Sequence, residues 1–527
     1  MTRPVADDPA RGPTDPTESP DQHGHPIERS GSSGSSGRQL VVAGLMLALG
    51  LVALDSTIVA TAVPSIVGQL GGFSLFAWVF SAYLLAQTVS VPVYGRMSDL
   101  YGRKPILLAG VVVFMLGSAL AGAAWNMLTL ILCRGLQGLG AGAVLSTANT
   151  VAGDLFDLRE RGRVQGWLAS VWGVSAVVGP TLGGLLSEYT TWRWIFYLNV
   201  PVGTACLWVI SRYLRENVTP SRHRFDVLGS VLVVGGIGLA ILALMQGGVT
   251  WPWLSAPSLA MFAGALLLLV AFGFQECRTA EPTLPPWLFT DRRLLGANAA
   301  TLVFGVVVIG LTVYLPTYAQ GVLGAGAVSA GLALAAMSIG WPLTSSLSSR
   351  LYLRIGFRDT ACLGAALCVL AGVLLALLPE EVPLWLAAGA SLLMGGGLGL
   401  VSTPLVVGVQ STVGWDRRGV VTATNMSMRY LGQTVGAALF AGIANSTLAT
   451  RLATAPPRVR SDLPGDVDST SQLLGAGRLS AEAATYLRHS LYLGAHHVFV
   501  TLLSVAVVLV AVLLVVTPRR FGAPVDR

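Results

Sequence analysis

The segment Gly95-Arg-Met-Ser-Asp-Leu-Tyr-Gly-Arg-Lys104 separates two apolar stretches, at 75–95 and 105–124. Each stretch has about 20 residues, the length with which an α-helix crosses the hydrocarbon core of a bilayer. The glycines allow a tight turn between the two helices, and Asp99 is placed to cap the N-terminus of the second. The cations of the segment face the anionic cytoplasmic leaflet. The segment therefore predicts two membrane helices joined by a short cytoplasmic loop.

Apolar stretches of this length recur along nearly the whole chain of 527 residues. Hydrophobic residues make up 53% of the sequence and charged residues only 11%, whereas a soluble domain carries roughly 25% charged residues. The composition predicts an all-α membrane protein and disfavours a nucleic-acid-binding one. Fourteen membrane helices are predicted, at about 39–63, 75–95, 105–124, 126–152, 163–187, 194–213, 227–246, 257–275, 295–319, 327–349, 359–378, 384–409, 420–446 and 492–516.

The arginine and lysine residues indicate the orientation of the chain. If the N-terminus is cytoplasmic, 25 of the 33 basic residues fall on that side, six fall outside, and Arg134 and Arg429 lie within spans. Membrane proteins carry their excess of basic residues in cytoplasmic loops. The sequence therefore predicts a multi-pass protein of a bacterial cytoplasmic membrane with both termini in the cytoplasm.

Three long connections divide the chain: the cytoplasmic stretches 214–226 and 276–294, and the outer loop 448–490. The first two flank spans seven and eight, so the chain is predicted to have two six-helix halves around a site at the middle of the membrane, as in transporters built from repeats. The predicted parts are a disordered cytoplasmic tail at 1–38 with a flexible Gly/Ser linker at 31–37, a six-helix half at 39–213, two inserted helices at 214–294, a second half at 295–517 and a cytoplasmic tail at 518–527.

Asp55 is the only acidic residue predicted to lie well inside a span. An ionisable side chain in hydrocarbon costs a few kcal/mol or more, so it marks a functional site. At about 1.5 Å per residue, Asp55 lies about 24 Å from the inner end of its helix and Arg134 about 12 Å from the outer end of its own. Both fall in the outer half of a core about 30 Å thick, and we expect them to pair. The pair predicts a proton-coupling site, with a static structural ion pair as the alternative.

A proline and three glycines lie within six residues in the outer third of span five: Gly179, Pro180, Gly183 and Gly184. Proline removes a backbone hydrogen bond and glycine removes bulk, so a helix can bend there and its neighbours can approach. We expect a hinge or seal at the external gate, with simple helix packing as the alternative.

Polar and aromatic side chains within the spans are candidates for a substrate cavity, although each can equally be an ordinary contact between helices. The candidates are Tyr83, Gln87, Gln137, Trp172, Asn425 and Arg429. The sequence has no GxxxxGK[ST] phosphate-binding loop, no metal-ligand cluster and no GxSxG elbow. We therefore expect neither ATP-driven transport nor enzyme activity, and neither a metal nor another cofactor.

Five segments resemble motifs of the major facilitator superfamily and of its fourteen-helix drug:proton antiporters. Segment 95–104 is similar to the GxxxDxxGRK signature, with Leu100 where a basic residue is usual, while the equivalent loop 350–358 lacks the acid, so that no charge relay is expected there. Leu54 to Pro64 is similar to the acidic first-helix motif of the antiporters, with Ala60-Thr61 in place of Asn-Val. Ser175 to Gly184 is similar to their GxxxGPxxGG motif, with Ser in place of the first Gly. Arg134 to Gly138 is similar to RxxQG, and Asn425 to Gly436 is similar to RxxGxxxG.

The resemblance covers about residues 39–517 and implies a facilitator bundle of two six-helix halves with a two-helix insertion. It implies the export of hydrophobic or amphipathic, often cationic, small molecules in exchange for protons, and hence a role in antibiotic resistance. Asp55 and Arg134 would couple protons to transport, membrane lipids would surround a monomer, and no nucleic acid would bind. The implied cytoplasmic gate comprises Gly95, Asp99, Gly102, Arg103 and Lys104.

Three alternatives stay open. The chain can be an exporter of lipids or lipid-like molecules that docks a periplasmic partner through the 448–490 loop. It can be a membrane scaffold or sensor, which the costly Asp55–Arg134 pair disfavours. It can also be a proton-coupled importer, which the antiporter-like stretch in span five disfavours.

Overall fold

The computed structural model describes residues 35–61, 66, 69–70, 76–216, 226–246, 251–252, 254–279, 282, 284–460, 462–463 and 480–519. These residues form fourteen long helices and no β-strand. The helices are α1 (Ser35–Thr61), α2 (Phe76–Tyr101), α3 (Arg103–Gly122), α4 (Met127–Leu155), α5 (Leu158–Tyr189), α6 (Asn199–Tyr213), α7 (Val227–Gln246), α8 (Ala256–Glu276), α9 (Arg292–Gly321), α10 (Ala327–Ile355), α11 (Phe357–Ala376), α12 (Leu384–Ser411), α13 (Arg418–Ala453) and α14 (Ala481–Val515). The predicted all-α class is confirmed.

Eleven helical stretches in the described part of the chain are long and apolar enough to cross a membrane. The long helices outside this set are α2, α5 and α13, which carry more polar and charged residues. Helix α13, for example, buries the polar side chains of Thr422, Thr424 and Asn425 against other helices. The chain is therefore a multi-pass membrane protein, and the count of fourteen spans stays a prediction.

The pairing of helices repeats between α1–α6 and α9–α14. In the first set, α1 packs against α5 and α6, α2 against α4, and α3 against α4 and α6. In the second set, α9 packs against α13 and α14, α10 against α12, and α11 against α12 and α14. Each set also has its own large apolar core. This repetition is the architecture of a bundle with two equivalent halves.

Helices α7 and α8 lie at the side of the seam between the halves. They pack on each other, and α7 also contacts α2 and α13, one helix from each half. Helix α8 leaves large apolar side chains uncovered, with Leu266 64% exposed and Leu267 71% exposed. Such a surface is stable against lipid tails rather than water, so the inserted pair faces the bilayer.

Helices extend into two of the predicted connections. Helix α1 begins at Ser35, inside the predicted 31–37 linker, and the rest of the predicted tail lies outside the described residues. At the predicted outer loop, α13 continues to Ala453 and α14 begins at Ala481. Ser480 caps α14 by accepting a hydrogen bond from the backbone nitrogen of Ala483 at 3.4 Å. The connection between α13 and α14 is therefore shorter than the predicted 448–490.

Small residues let the two halves approach along α2–α13 and α5–α10. A Cβ atom added to Gly95 in α2 would lie 2.1 Å from the Cβ of Ala423 in α13. A Cβ atom added to Gly162 in α5 would lie 2.7 Å from the Cβ of Ser349 in α10. Both contacts lie at the predicted cytoplasmic ends of these helices, so the seam is closed on that side.

Candidate functional site

Asp55 of α1 and Arg134 of α4 lie in direct contact, and neither side chain has exposed surface. Nη1 of Arg134 donates hydrogen bonds to Oδ2 of Asp55 and, at 2.7 Å, to Oε1 of Gln137. Nε2 of Gln137 in turn donates to Oδ1 of Asp55 at 2.6 Å. The structure thus brings together the two ionisable residues that the sequence placed at one depth, and adds Gln137 to them.

Asn199 and Ser118 complete the surroundings of the Asp55 carboxylate. Nδ2 of Asn199 donates to Oδ1 of Asp55 at 3.2 Å and to Oγ of Ser118 at 2.9 Å. Oγ of Ser118 donates to the backbone carbonyl of Phe196 at 2.8 Å. Sequence reasoning missed both residues; the available signal was a polar side chain within an otherwise apolar span. Side chains from α1, α3, α4 and α6 therefore meet at Asp55.

Aromatic rings cover the guanidinium of Arg134. Its Cζ lies 4.2 Å from the ring centroid of Tyr83 and 6.0 Å from that of Phe196, within the range of cation–π attraction. Its Nε donates to the backbone carbonyl of Val79 at 3.3 Å. Among the described residues, neither its Nη2 atom nor the buried hydroxyl of Tyr83 has a hydrogen-bond partner. The site therefore keeps spare donors for a rearranged network.

Glycines in α4 place Arg134 within reach of α1. A Cβ atom on Gly138 would lie 2.4 Å from the backbone oxygen of Tyr83 in α2, and one on Gly140 would lie 2.4 Å from the backbone nitrogen of Phe114 in α3. Any larger residue would push these helices apart. The glycines that follow Arg134 in sequence thus serve close packing around the ion pair.

Asp99, the acid of the predicted cytoplasmic gate, caps a helix of the opposite half. Its carboxylate oxygens accept hydrogen bonds from the backbone nitrogens of Gly419 at 2.8 Å and Val420 at 2.7 Å, in the first turn of α13. The prediction that Asp99 caps the third span is wrong. Helix α2 continues to Tyr101, and only Gly102, with φ of 96°, turns the chain into α3, so Asp99 still belongs to α2 and points across the seam.

Glu216 caps α3 instead. Its carboxylate oxygens accept hydrogen bonds from the backbone nitrogens of Arg103 and Lys104, each at 2.8 Å. Nζ of Lys104 donates to the backbone carbonyl of Ser211 at 2.8 Å and is exposed. Lys104 therefore ties α3 to α6 within the first half rather than joining the two halves.

Arg103 lies fully buried at the centre of an ionic network across the seam. It pairs with Asp99 at 2.7 Å and with Asp154 at 3.1 Å, and Asp154 pairs with Arg418 of the second half at 3.2 Å. Its Cζ also lies 3.7 Å from the ring centroid of Trp415. Together with the Asp99 cap, these contacts hold the predicted cytoplasmic side closed. Sequence reasoning missed Asp154, Arg418 and Trp415, because charges at the ends of spans resemble ordinary loop charges.

The predicted hinge of α5 fits closely against α1 near Asp55. A Cβ atom on Gly179 would lie 2.0 Å from Oγ1 of Thr57, and this hydroxyl donates to the backbone carbonyl of Ser175 at 3.0 Å. Gly183 is buried, and α5 is continuous from Leu158 to Tyr189. The side-chain surroundings of two residues of this segment lie outside the described residues: Pro180 and Gly184. A hinge motion stays a prediction.

The predicted cavity residues fall into different environments. Gln137 belongs to the Asp55 site, and Asn425 fastens α13 to α9 by donating to Oδ1 of Asn298 at 3.1 Å and to Oγ1 of Thr301 at 2.8 Å. Asn425 thus makes the contact between helices that was the alternative to a cavity role. The remaining candidates comprise the buried Tyr83 and Gln87 and the half-buried Trp172 and Arg429.

The sequence model of the Major Facilitator Superfamily matches residues 45–437. The chain belongs to this superfamily. The family predicted from the sequence is thereby confirmed, and it is a family of transporters rather than enzymes. Similar proteins include Multidrug transporter protein MdtP of Bacillus subtilis, 35% identical over 78% of this chain and 76% of the relative. Multidrug resistance protein 3 of the same organism is 34% identical over 79% of this chain and 81% of the relative.

Two solved structures share the fold. The human organic anion transporter MFSD10 (TETRAN) aligns with a TM-score of 0.60 at 15% identity, over 90% of this chain and 99% of that one. The proton:xylose symporter XylE aligns with a TM-score of 0.57 at 13% identity, over 88% of this chain and 95% of that one. At such low identity, the likeness concerns the facilitator fold alone.

Proposed function

We propose that this chain exports hydrophobic or amphipathic small molecules from a bacterial cytoplasm in exchange for protons, and that Asp55 binds the proton. The buried contact between Asp55 and Arg134 carries the proposal. Removing two charges from water costs several kcal/mol per ion, and packing between helices does not require that cost. The names of the two Bacillus relatives describe multidrug transport and resistance, which supports efflux as the direction.

Protonation of Asp55 would change the balance of charge inside the first half. The neutral acid no longer compensates the guanidinium of Arg134, so the hydrogen bonds from Gln137 and Asn199 must rearrange with it. Since α1, α3, α4 and α6 all contribute to this site, the change reaches most of the half. A proton that enters contributes about 2.3 kcal/mol per 100 mV of membrane potential, enough for more than a tenfold substrate gradient.

The seam is closed at its predicted cytoplasmic end, so substrate cannot enter from that side in this arrangement. For substrate to enter from the cytoplasm, the contacts of Asp99 with α13 and of Asp154 with Arg418 must break. We propose that proton binding and release at Asp55 alternate with opening and closing of this ionic network. Gly95, Asp99 and Arg103 then act as the gate, while Gly102 provides the turn behind it.

The surroundings of Asp55 favour a proton over a cationic substrate as its ligand. Its oxygens already accept hydrogen bonds from Arg134, Gln137 and Asn199. A cationic drug would have to displace these donors from a site without exposed surface, whereas a proton needs no additional space. The preference for cationic substrates that the family resemblance implies stays a separate prediction.

Proteoliposomes with an imposed pH gradient test the proposal through the accumulation of an amphipathic fluorescent dye. Asp55→Asn should abolish proton-driven accumulation, while downhill exchange of dye between the two sides continues. Asp359→Asn is a matched control, since Asp359 forms a peripheral ion pair with the exposed Arg519, and it should transport like the wild type. Proton-driven accumulation by Asp55→Asn at the wild-type rate would overturn the proposal.

A further inference from the structure

Arg429 is a charged side chain inside the bundle that the proton site does not use. It lies within α13 and is one of two basic residues that the sequence places inside spans, the other being Arg134. An ionisable residue at such a position marks a functional site by default. Arg429 is therefore a candidate functional residue of the second half.

In the part of the chain that the structure describes, Arg429 lacks the carboxylate partners that Arg103 and Arg134 have. Arg103 and Arg134 each pair with a carboxylate, whereas Arg429 forms no ion pair in the described part of the chain, and its Nε is buried without a hydrogen-bond partner. Burying an unsatisfied charged donor is costly. Unlike Arg103 and Arg134, Arg429 is only half-buried, so a ligand can still reach it.

Aromatic rings hold the guanidinium of Arg429 in place. Its Cζ lies 5.6 Å from the ring centroid of Trp341 in α10 and 5.6 Å from that of Tyr430. Trp341 is itself fixed, because its Nε1 donates to Oγ of Ser402 in α12 at 3.1 Å and its ring packs edge-on against Phe304 at 5.5 Å. Arg429 therefore lies where α10 and α13 face each other, beside a rigid apolar surface.

The contacts of the neighbouring residue Tyr430 place Arg429 near the seam between the halves. Tyr430 and Met426 of α13 pack into the apolar core of the first half, while Asn425 of the same helix binds α9 of the second half. Arg429 lies on α13 between these contacts. Arg429 therefore lies on a part of α13 that packs against both halves, so a molecule bound there would be affected by their relative movement.

We infer that Arg429 binds an anionic group of the transported molecule, while Trp341 contacts its apolar body. The inference rests on the proposed export function and names its substrate class: amphipathic compounds that carry a carboxylate or a similar anionic acceptor, zwitterions included. A guanidinium donates two parallel hydrogen bonds to a carboxylate, which gives affinity as well as orientation. Arg429 thereby gives the second half a substrate contact, separate from proton binding in the first.

A matched pair of dyes tests the inference by direct binding, without a proton gradient. The probes are a rhodamine with a free carboxylate and its methyl ester, and fluorescence anisotropy measures their affinity for the purified protein. Wild type should bind the free acid more tightly. Arg429→Gln should weaken binding of the acid by about tenfold to a hundredfold, since hydrogen bonds to charged groups contribute that much, and leave the ester unchanged. Arg429→Lys should keep part of the preference, and Arg519→Gln at the exposed cytoplasmic end should keep all of it.

Several results would overturn the inference. In the wild type, such a result is equal affinity for the two dyes, or no binding of either. In Arg429→Gln, it is an equal loss of affinity for both dyes, or no loss of affinity for either. Unchanged ester binding shows that the Arg429→Gln protein is folded. If the acid binds as expected but no dye moves with a proton gradient, the proposed antiport fails while the anion site stands.

Discussion

One added methyl group at Gly95 should hinder closure of the cytoplasmic side. In the closed arrangement its Cβ would lie 2.1 Å from the Cβ of Ala423 and 2.9 Å from the backbone oxygen of Gly419, whereas ordinary contacts of Cβ atoms begin at 3.4 Å. Helices α2 and α13 must therefore separate by about 1 Å, which also stretches the hydrogen bonds of Asp99. Overpacking costs about 1–3 kcal/mol, so the ratio of closed to open molecules should fall by about fivefold to 150-fold.

Spin labels on the two halves measure this shift. Arg159→Cys in α5 and Arg354→Cys in α10 place labels on exposed positions at the cytoplasmic ends, in a background without the native cysteines. The distribution of distances between the labels, recorded by double electron–electron resonance in nanodiscs, should gain a longer component in Gly95→Ala. The same variant should slow the transport cycle if closure limits its rate.

Two variants decide whether the steric account is right. Gly135→Ala in α4 is the control, because a Cβ atom there would meet nothing within 4 Å, and it should leave the distances unchanged. Ala423→Gly removes the atom nearest to the new methyl group, so the double variant with Gly95→Ala should return toward the wild-type distribution. An unchanged distribution in Gly95→Ala, or no return in the double variant, would refute the reasoning.

Arg134→Met leaves the Asp55 carboxylate buried without its ion-pair partner and should cost about 3–5 kcal/mol, seen as a lower melting temperature of the purified protein. Combining it with Asp55→Asn should recover much of that loss, and a further drop would contradict the ion-pair account. Glu216→Gln weakens the cap of α3 and should cost about 0.5–2 kcal/mol in the same measurement. Glu160→Gln removes an exposed ion pair and should cost less, about 0–1 kcal/mol; equal losses would contradict the capping role of Glu216.

The sequence predicted those features of the site that depend on one helix at a time. Apolar length locates the helices, because every backbone hydrogen bond in lipid must be made within the helix itself. The depth of Asp55 and Arg134 follows from counting residues along their own helices, so their approach could be expected before any contact was known. Gln137 and Asn199, which donate hydrogen bonds to Asp55, could be predicted only from the rotation of each helix about its axis. Apolar stretches without a polar face do not determine that rotation.

The ionic network of Asp99, Arg103, Asp154 and Arg418 could not be predicted in this way, because it depends on how the halves meet. Asp154 and Arg418 are 264 residues apart and belong to different halves. Asp154 lies in the last turn of α4 and Arg418 begins α13, so each resembles a solvated charge at the end of a helix. The wrong assignment of Asp99 has a similar cause: its distance in sequence from α3 is short, but the end of α2 directs its carboxylate to α13.

Helices α1–α6 and α9–α14 pack in the same pattern but differ in their acidic residues. The first six helices hold the buried acid of the proposed proton site, whereas α9, α10, α12 and α13 contain no aspartate or glutamate. Under the proposed function, different helices therefore handle the proton and the transported molecule. Selection for new compounds can then change residues of α9, α10, α12 and the middle of α13, while α1–α6 and the first turn of α13, with Arg418 and Gly419, keep the coupling.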